Sequence, residues 1–417
     1  MQTIRILLVR DSDYCFHVYQ LAAFLARNGY DVEVLHTCDT EPESLYRDLI
    51  IKTNQLGIKC YLVKPRVSPI ERKLVSLASR LRIISKLHVI RPHKIRAARK
   101  ALGRGAHYDL IVAFDPPSLF LACKLFRKEL HKIINFSLEI DDATSVVFRR
   151  SRFGRSLRYF ERAVQAKLYG LMIQDPFRAQ VLLRTCAHPH NIRTLFYPVA
   201  MDTSDYGRAP IPAFHGRQSA CRREVRILFF GAVWSKELLD ELAGLSGRLR
   251  EGQLLVVQSG RGSVRPAQRS GEKLVISTEP VPFEAVNEHI ASADIGLAIY
   301  PERTSNNSRY TAFSSEKIAR YAQCGIPFIA FANEDYEFLK VETGCCELVR
   351  GFSEIPHAID TILENYDAYR RGVLAAFERF YSLDNSGMHL LKEIHKGSRA
   401  AFGERASRVS AGWCRDQ

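Results

Sequence analysis

Short continuous apolar runs alternate with helically spaced stretches along almost the whole chain, and this alternation most narrows what it can fold into. Residues 4–9, 31–36, 58–63, 109–114, 132–138, 170–174 and 192–197 read as buried strands, with 16–26 and further helices between them. A strand without polar alternation is covered on both faces, and such strands joined through helices form a parallel sheet. The stretch 198–223 breaks the rhythm with Pro198, Gly207, Pro210, Pro212 and Gly216, and reads as a linker. The pattern then restarts, with strands at 225–230, 253–258, 274–277, 295–300 and 327–331 and helices at 235–249, 283–293, 315–324 and 355–363. The expectation is an α/β chain of two doubly wound halves facing a cleft. The halves are 1–198 and 225–375, with a linker over 199–224 and a C-terminal helix and tail over 376–417. The helix is expected to reach about residue 380 and the tail to be disordered from residue 397. Ligands of such sheets sit at the carboxyl ends of the strands, so the cleft is the expected site.

Apolar residues at 46% and charged ones at 25% exclude disordered and fibrous classes. The longest apolar run, 326–332, is far short of the roughly 20 residues a membrane-spanning helix needs. The ten cysteines form no CxxC pair, and the first residues lead straight into an apolar strand. A reduced cytoplasmic protein without a cleaved leader is therefore expected.

The net charge of +15 is uneven: residues 64–104 hold thirteen Lys and Arg against one acid, Glu71. Ile70, Leu74, Leu77, Leu81, Ile84 and Leu87 form an apolar stripe at helical spacing in the same window. A basic amphipathic segment fits an anionic bilayer, the phosphates of a nucleic acid, or a solvated face over an internal contact. A second basic cluster, Arg149 to Arg158, interleaves with Phe148, Phe153 and Tyr159 and tilts the reading toward an anionic surface or acceptor. The expectation is a peripheral protein on the inner face of the plasma membrane, with no nucleic-acid partner.

The strongest local signal runs from Asn306 and Asn307 to Pro327. Ser314 and Ser315 open a helix whose first N–H groups can hold an anion, and Lys317 can add a point charge to a phosphate. A capped helix with a surface lysine explains the same residues equally well.

Together these pieces resemble GT-B fold glycosyltransferases. In the second half the matching residues are 227–233, 293–297 and Ser314-Ser315-x-Lys317-Ile318-x-x-Tyr321-x-x-x-Gly325-x-Pro327, with the helix at 355–363. In the first half, residues 21–35 and Tyr108-Asp109-Leu110-Ile111-Val112 are similar in pattern. The resemblance implies two Rossmann-like domains, the first on the acceptor side and the second binding a nucleotide-diphosphate sugar. It implies transfer of that sugar to a lipid-linked or polysaccharide acceptor, with retention and with no metal or cofactor. It also implies donor contacts at Ser314, Ser315, Lys317, Gly231 and Lys236, with Asn307 beside them. Trp234 either stacks on base or sugar or packs internally. The glutamate pair of retaining members falls on Ala312 and Arg320, and Glu316 stands where a small residue is usual. Arg320 is expected to face solvent, with a donor contact as the alternative. On the acceptor side, Glu139 and His17 are the catalytic candidates, each against a structural role. Asp115 reads as a turn acid, and His188, His190 and His289 lack the partners of a zinc site. An epimerase of the same fold and a non-catalytic binder of a nucleotide or anionic glycan are the competing readings.

Overall fold

The computed structural model describes residues 3–11, 16–37, 53–64, 92–103, 105–141, 152–185, 192–202, 224–233, 235–259, 269–271, 273–282, 285–300 and 305–401. The first half contains β1 (Arg5–Asp11), α1 (Phe16–Arg27), β2 (Asp31–Thr37), β3 (Lys59–Val63), α2 (Pro92–Leu102), β4 (Leu110–Phe114) and α3 (Asp115–Leu125). It continues through β5 (Ile133–Phe136), α4 (Arg152–Gln165), β6 (Gly170–Ile173), α5 (Pro176–Thr185) and β7 (Thr194–Phe196). Its seven strands are parallel, in the order β3-β2-β1-β4-β5-β6-β7. Leu8 pairs with Val34 on one side and Val112 on the other, and all three are buried. The order reverses beside β1, which opens a crevice at the carboxyl ends of β1 and β4.

The second half contains β8 (Val225–Phe230), α6 (Lys236–Ser246), β9 (Gln253–Gln258), β10 (Arg269–Gly271), β11 (Leu274–Ser277), α7 (Val286–Ala291), β12 (Ile295–Ala298), the short α8 (Asn306–Arg309) and α9 (Glu316–Gln323). There follow β13 (Phe328–Phe331), α10 (Glu334–Thr343), β14 (Cys346–Val349), α11 (Ile355–Glu364) and α12 (Tyr366–Ala376). A π-helical turn, Phe377–Tyr381, leads into the last helix, α13 (Leu383–Ala401). The strand order is β10-β11-β9-β8-β12-β13-β14, parallel except that β10 runs antiparallel to β11. Here the order reverses beside β8, between β9 and β12.

The apolar runs read as strands are strands, and the fold is α/β with two Rossmann-like sheets. Four elements escaped the pattern: β10, a polar three-residue edge strand; β14; the four-residue α8; and α10. The last helix also runs to Ala401, into residues expected to be disordered.

The two sheets share a core. Val199, Ala200 and Met201, at the start of the expected linker, are buried. Val199 N–H donates to Phe313 O at 2.9 Å, and Met201 N–H to Tyr381 O at 2.7 Å. One apolar cluster runs from Leu21 and Phe24 through Met201 to Phe313, Tyr381 and α13. That helix lies on the first half: Tyr30 Oη meets His395 Nε2 at 2.8 Å, and Arg193 donates to Glu393 O at 2.7 Å. Residues 203–223 of the expected linker and most of the basic segment, 65–91, lie outside the described residues, as does Arg104. Among the described residues, no helix is long and apolar enough to cross a membrane.

Candidate functional site

On the second-half wall, β12 delivers Tyr300 and the following segment delivers α9. Ser315 occupies the N-cap position with extended backbone, but its hydroxyl pairs with Tyr300 Oη instead of capping the helix. The first-turn N–H groups of α9 therefore have neither carbonyls within the helix nor a serine cap, an arrangement suited to an anion. Lys317 lies against this end with its ammonium 3.9 Å from the ring centre of Phe229 and 4.8 Å from that of Tyr300. Among the described residues, it forms no hydrogen bond or ion pair. Burial pulls its pKa down to about 7, because the charged form has left water without gaining a counter-charge. Burial conversely pushes the Tyr300 phenol up to about 12, so it stays a protonated partner.

Gly231 ends β8 with φ +136°, and a Cβ there would stand 3.2 Å from Lys317 Cε. The missing side chain makes room for the lysine and for backbone approach. Lys236 is exposed on the first turn of α6, whose end is capped by Ser235 accepting from Leu238 N–H at 3.2 Å. Trp234 lies outside the described residues.

Two second-half residues depart from expectation. Arg320 is 2% exposed instead of facing solvent. Its Nε donates to Glu316 Oε1 at 2.8 Å and its Nη1 to Asn287 Oδ1 at 2.9 Å. The acid at 316 is thus neutralised along its own helix at (i, i+4), which removes its conflict with a neighbouring phosphate.

On the first-half wall, Asp115 opens α3 with φ +69°, the one non-glycine residue in the left-handed region among those described. Its carboxylate accepts from Arg10 Nη1 at 2.5 Å and from Leu138 N–H at 2.9 Å. The expected turn acid therefore joins the ends of β1, β4 and β5, and its strained backbone is held by these contacts. Glu139 follows β5, on the exposed face of the cleft. Desolvation by the cleft walls, then the charge of Asp115, raises its pKa above the ordinary value. His17, half-buried at the start of α1, has its pKa lowered by burial, with Arg10 and Arg320 adding to the fall. Glu316 and Asp115 oppose that shift. His17 therefore feels charges from both walls, and the net shift favours the neutral form that a proton acceptor requires.

Asn307 and Ser314 serve the junction between the walls. Asn307 Oδ1 accepts from Ile140 N–H at 2.8 Å, and its amide donates to Glu139 Oε2. Ser314 Oγ donates to Tyr310 O at 3.0 Å and accepts from Arg178 Nη1 at 3.1 Å, so its hydroxyl turns toward the first half. Arg178, Asp141 and Tyr300 had not been singled out in the sequence. For Arg178 a signal existed: a cation in the first turn of a helix opposes the helix dipole and implies another constraint. Among the described residues, no group of three or more His, Cys, Asp or Glu is placed to hold a metal ion.

Neither a protein-family model nor a curated protein matches the chain. Solved structures do. Sucrose-phosphate synthase from Thermosynechococcus elongatus superposes with a TM-score of 0.63 at 14% identity, covering 96% of this chain and 100% of its own. HepE of Anabaena, solved in complex with UDP-glucose, gives 0.57 at 12% identity over 94% and 100%. A putative UDP-N-acetylglucosamine 2-epimerase from Listeria monocytogenes gives 0.53 at 12% over 99% and 100%. The chain has the GT-B glycosyltransferase fold. At such identities the likeness carries the architecture and leaves activity to the residues.

Proposed function

We propose that the chain is a glycosyltransferase that takes its sugar from a nucleotide-diphosphate donor. The observation that carries this reading is Lys317, a half-buried cation with no counter-charge among the described residues, beside an uncapped helix end at the carboxyl edge of β8 and β12. A diphosphate supplies the missing charge. In the transfer, the bond from the anomeric carbon to the phosphate oxygen breaks, and an acceptor oxygen bonds to that carbon. Lys317 and the α9 N–H groups stabilise the charge gathering on the departing diphosphate. His17 or Glu139 takes the acceptor proton.

The finer parts of the reading are a lipid-linked or polysaccharide acceptor, retention, independence of metal, and action at the cytoplasmic membrane face. They rest on the family resemblance and on the basic segment 64–104. An epimerase needs acid–base groups from both walls, and on the second wall the described acid whose charge reaches His17, Glu316, is committed to Arg320.

The test is thermal unfolding with UDP, GDP, ADP, CMP and their sugars, with EDTA in a parallel series. A ligand at about 100 times its dissociation constant stabilises by about 2.7 kcal/mol. Stabilisation by one diphosphate family, unaffected by EDTA and absent in Lys317→Ala, is expected. A flat response to every nucleotide returns the chain to a non-catalytic role.

A further inference from the structure

The Arg178 guanidinium is 2% exposed and belongs to α5 of the first half, yet most of its hydrogen bonds reach other elements. Nη1 donates to Tyr310 O at 2.7 Å and to Ser314 Oγ at 3.1 Å, both in the second half. Nη2 donates to Leu138 O at the end of β5 and to Asn307 Oδ1 at 3.0 Å. Nε is held by Gln174 Oε1 at 2.8 Å. Desolvation lowers the guanidinium's pKa, and the negative charges of Asp175, Glu139, Asp335 and Asp141 offset part of that cost.

The segment it grips, 305–314, belongs to the second half in sequence but is bonded at successive points to the first. Asp141 accepts from Asn306 N–H at 2.7 Å and from Ser305 Oγ at 2.8 Å. Ile140 N–H donates to Asn307 Oδ1 at 2.8 Å. The same segment runs directly into Ser315 and Lys317. A displacement of the first half must therefore pull on the donor end of α9, and an anion seated there must steady the ends of the first-half strands.

We propose that Arg178 is a positioning residue that couples anion binding at the α9 end to the order of Leu138–Asp141, the segment carrying the acceptor-side Glu139. The coupling is reciprocal, as linkage requires. The anion arm of the test rests on the proposed donor site; the ligand-free arm does not.

Amide hydrogen exchange of the full chain, with and without inorganic pyrophosphate, reads both arms. In the wild type, pyrophosphate should slow exchange at least fivefold over 315–319 and also over 138–141. In Arg178→Gln, protection over 315–319 should persist while that over 138–141 falls below twofold, with Arg178→Lys in between. Equal protection of both segments in wild type and Arg178→Gln would overturn the coupling. So would wild-type protection confined to 315–319. If pyrophosphate does not bind the wild type at all, the donor-site reading fails and the ligand-free comparison decides. Exchange over 305–314 should then be at least tenfold faster in Arg178→Gln, and unchanged exchange would overturn the latch. Should Arg178→Gln fail to fold, the same comparisons are made with Arg178→Lys, where a partial loss of coupling is expected and wild-type behaviour overturns it.

Discussion

Lys317 has a pKa of about 7 in the ligand-free protein, lowered by burial between two aromatic rings. A bound diphosphate restores a counter-charge and returns the lysine toward its ordinary value, so binding above pH 7 must take up a proton. Diphosphate affinity is therefore expected to hold below about pH 7 and to fall above it by up to about tenfold per pH unit. Calorimetric titrations at pH 6 to 9, in buffers of different ionisation enthalpy, check both the affinity and the proton uptake. A pH-independent affinity would remove Lys317 from the phosphate contact. The ligand-free fold responds with the opposite sign: because the folded pKa lies below the unfolded one, stability is full only above the unfolded value of about 10.4, declines as pH falls from there, and reaches its floor near the folded value of about 7. Glu316 and Arg320 make a second prediction at this scale. Glu316→Gln leaves a buried guanidinium without its carboxylate, whereas Glu316 itself is 41% exposed. The expected loss is about 1–3 kcal/mol in urea unfolding, less than for a fully buried pair. No loss would mean that Arg320 is held without Glu316. In the sequence, the start of α9 at Ser315 was legible because a cap residue and a nearby cation within one helical turn form a local pattern, one that an anion site and a plain capped helix share. Arg320 was misjudged because its partner, Asn287, lies on another helix, and Arg178 and Asp115 were opaque for the same reason. Their roles exist only once distant strand ends are brought together.

At the scale of elements, the height of α9 over its sheet is set by an absent side chain. A Cβ at Gly296 of β12 would lie 2.6 Å from the Tyr321 ring. In the room left, Tyr321 lies on the strand, donates to Leu228 O at 2.9 Å and accepts from Phe230 N–H at 3.2 Å. Gly296→Ala must therefore lift α9, and with it Ser315 and Lys317. A loss of about 1–3 kcal/mol, typical of overpacking, and a severalfold weaker diphosphate affinity are expected from the same variant. Lost stability with unchanged affinity would show that the donor end does not depend on the Tyr321 contact. The parallel strands were readable because strands covered on both faces have no polar alternation, as in Leu7 to Val9 or Ile111 to Ala113. Helix α10 carries its own signals, an Asn333 cap accepting from Tyr336 N–H at 3.1 Å and a left-handed Gly344. Its exposed Val341 and Phe338 blur the apolar stripe that betrays a helix from sequence. Strand β10 has three residues, too few for any periodicity.

For the whole molecule, the basic segment raises the question of which charges face outward. The described part, α2, divides them. Lys94 is buried and donates to Asp11 Oδ1 at 3.0 Å at the end of β1, where Thr37 Oγ1 also donates to that oxygen at 2.7 Å. Arg96, Arg99 and Lys100 are exposed. Lys94 therefore anchors the helix to the sheet, whereas the other three lie on its exposed side, with Arg99 donating to Lys124 O at 2.9 Å. If the chain docks on a membrane through this face, each outward cation contributes about 1 kcal/mol near anionic lipid. Replacing Arg96, Arg99 and Lys100 together by Ser should weaken partition onto phosphatidylserine vesicles by about 3 kcal/mol, roughly a hundredfold, with a smaller loss of stability than Lys94→Met. Wild-type binding should also decline as salt shortens the Debye length from about 10 Å at 0.1 M to about 3 Å at 1 M. Lys94→Met should do the reverse, keeping vesicle binding while destabilising the fold, because Asp11 would remain buried without its cation. Vesicle sedimentation and urea unfolding on the two variants separate the roles. Unchanged, salt-insensitive sedimentation of the triple variant would take the outward cations of α2 out of the contact. Equal loss of binding in Lys94→Met would show that the integrity of the first sheet, not its surface charge, is what the vesicles report.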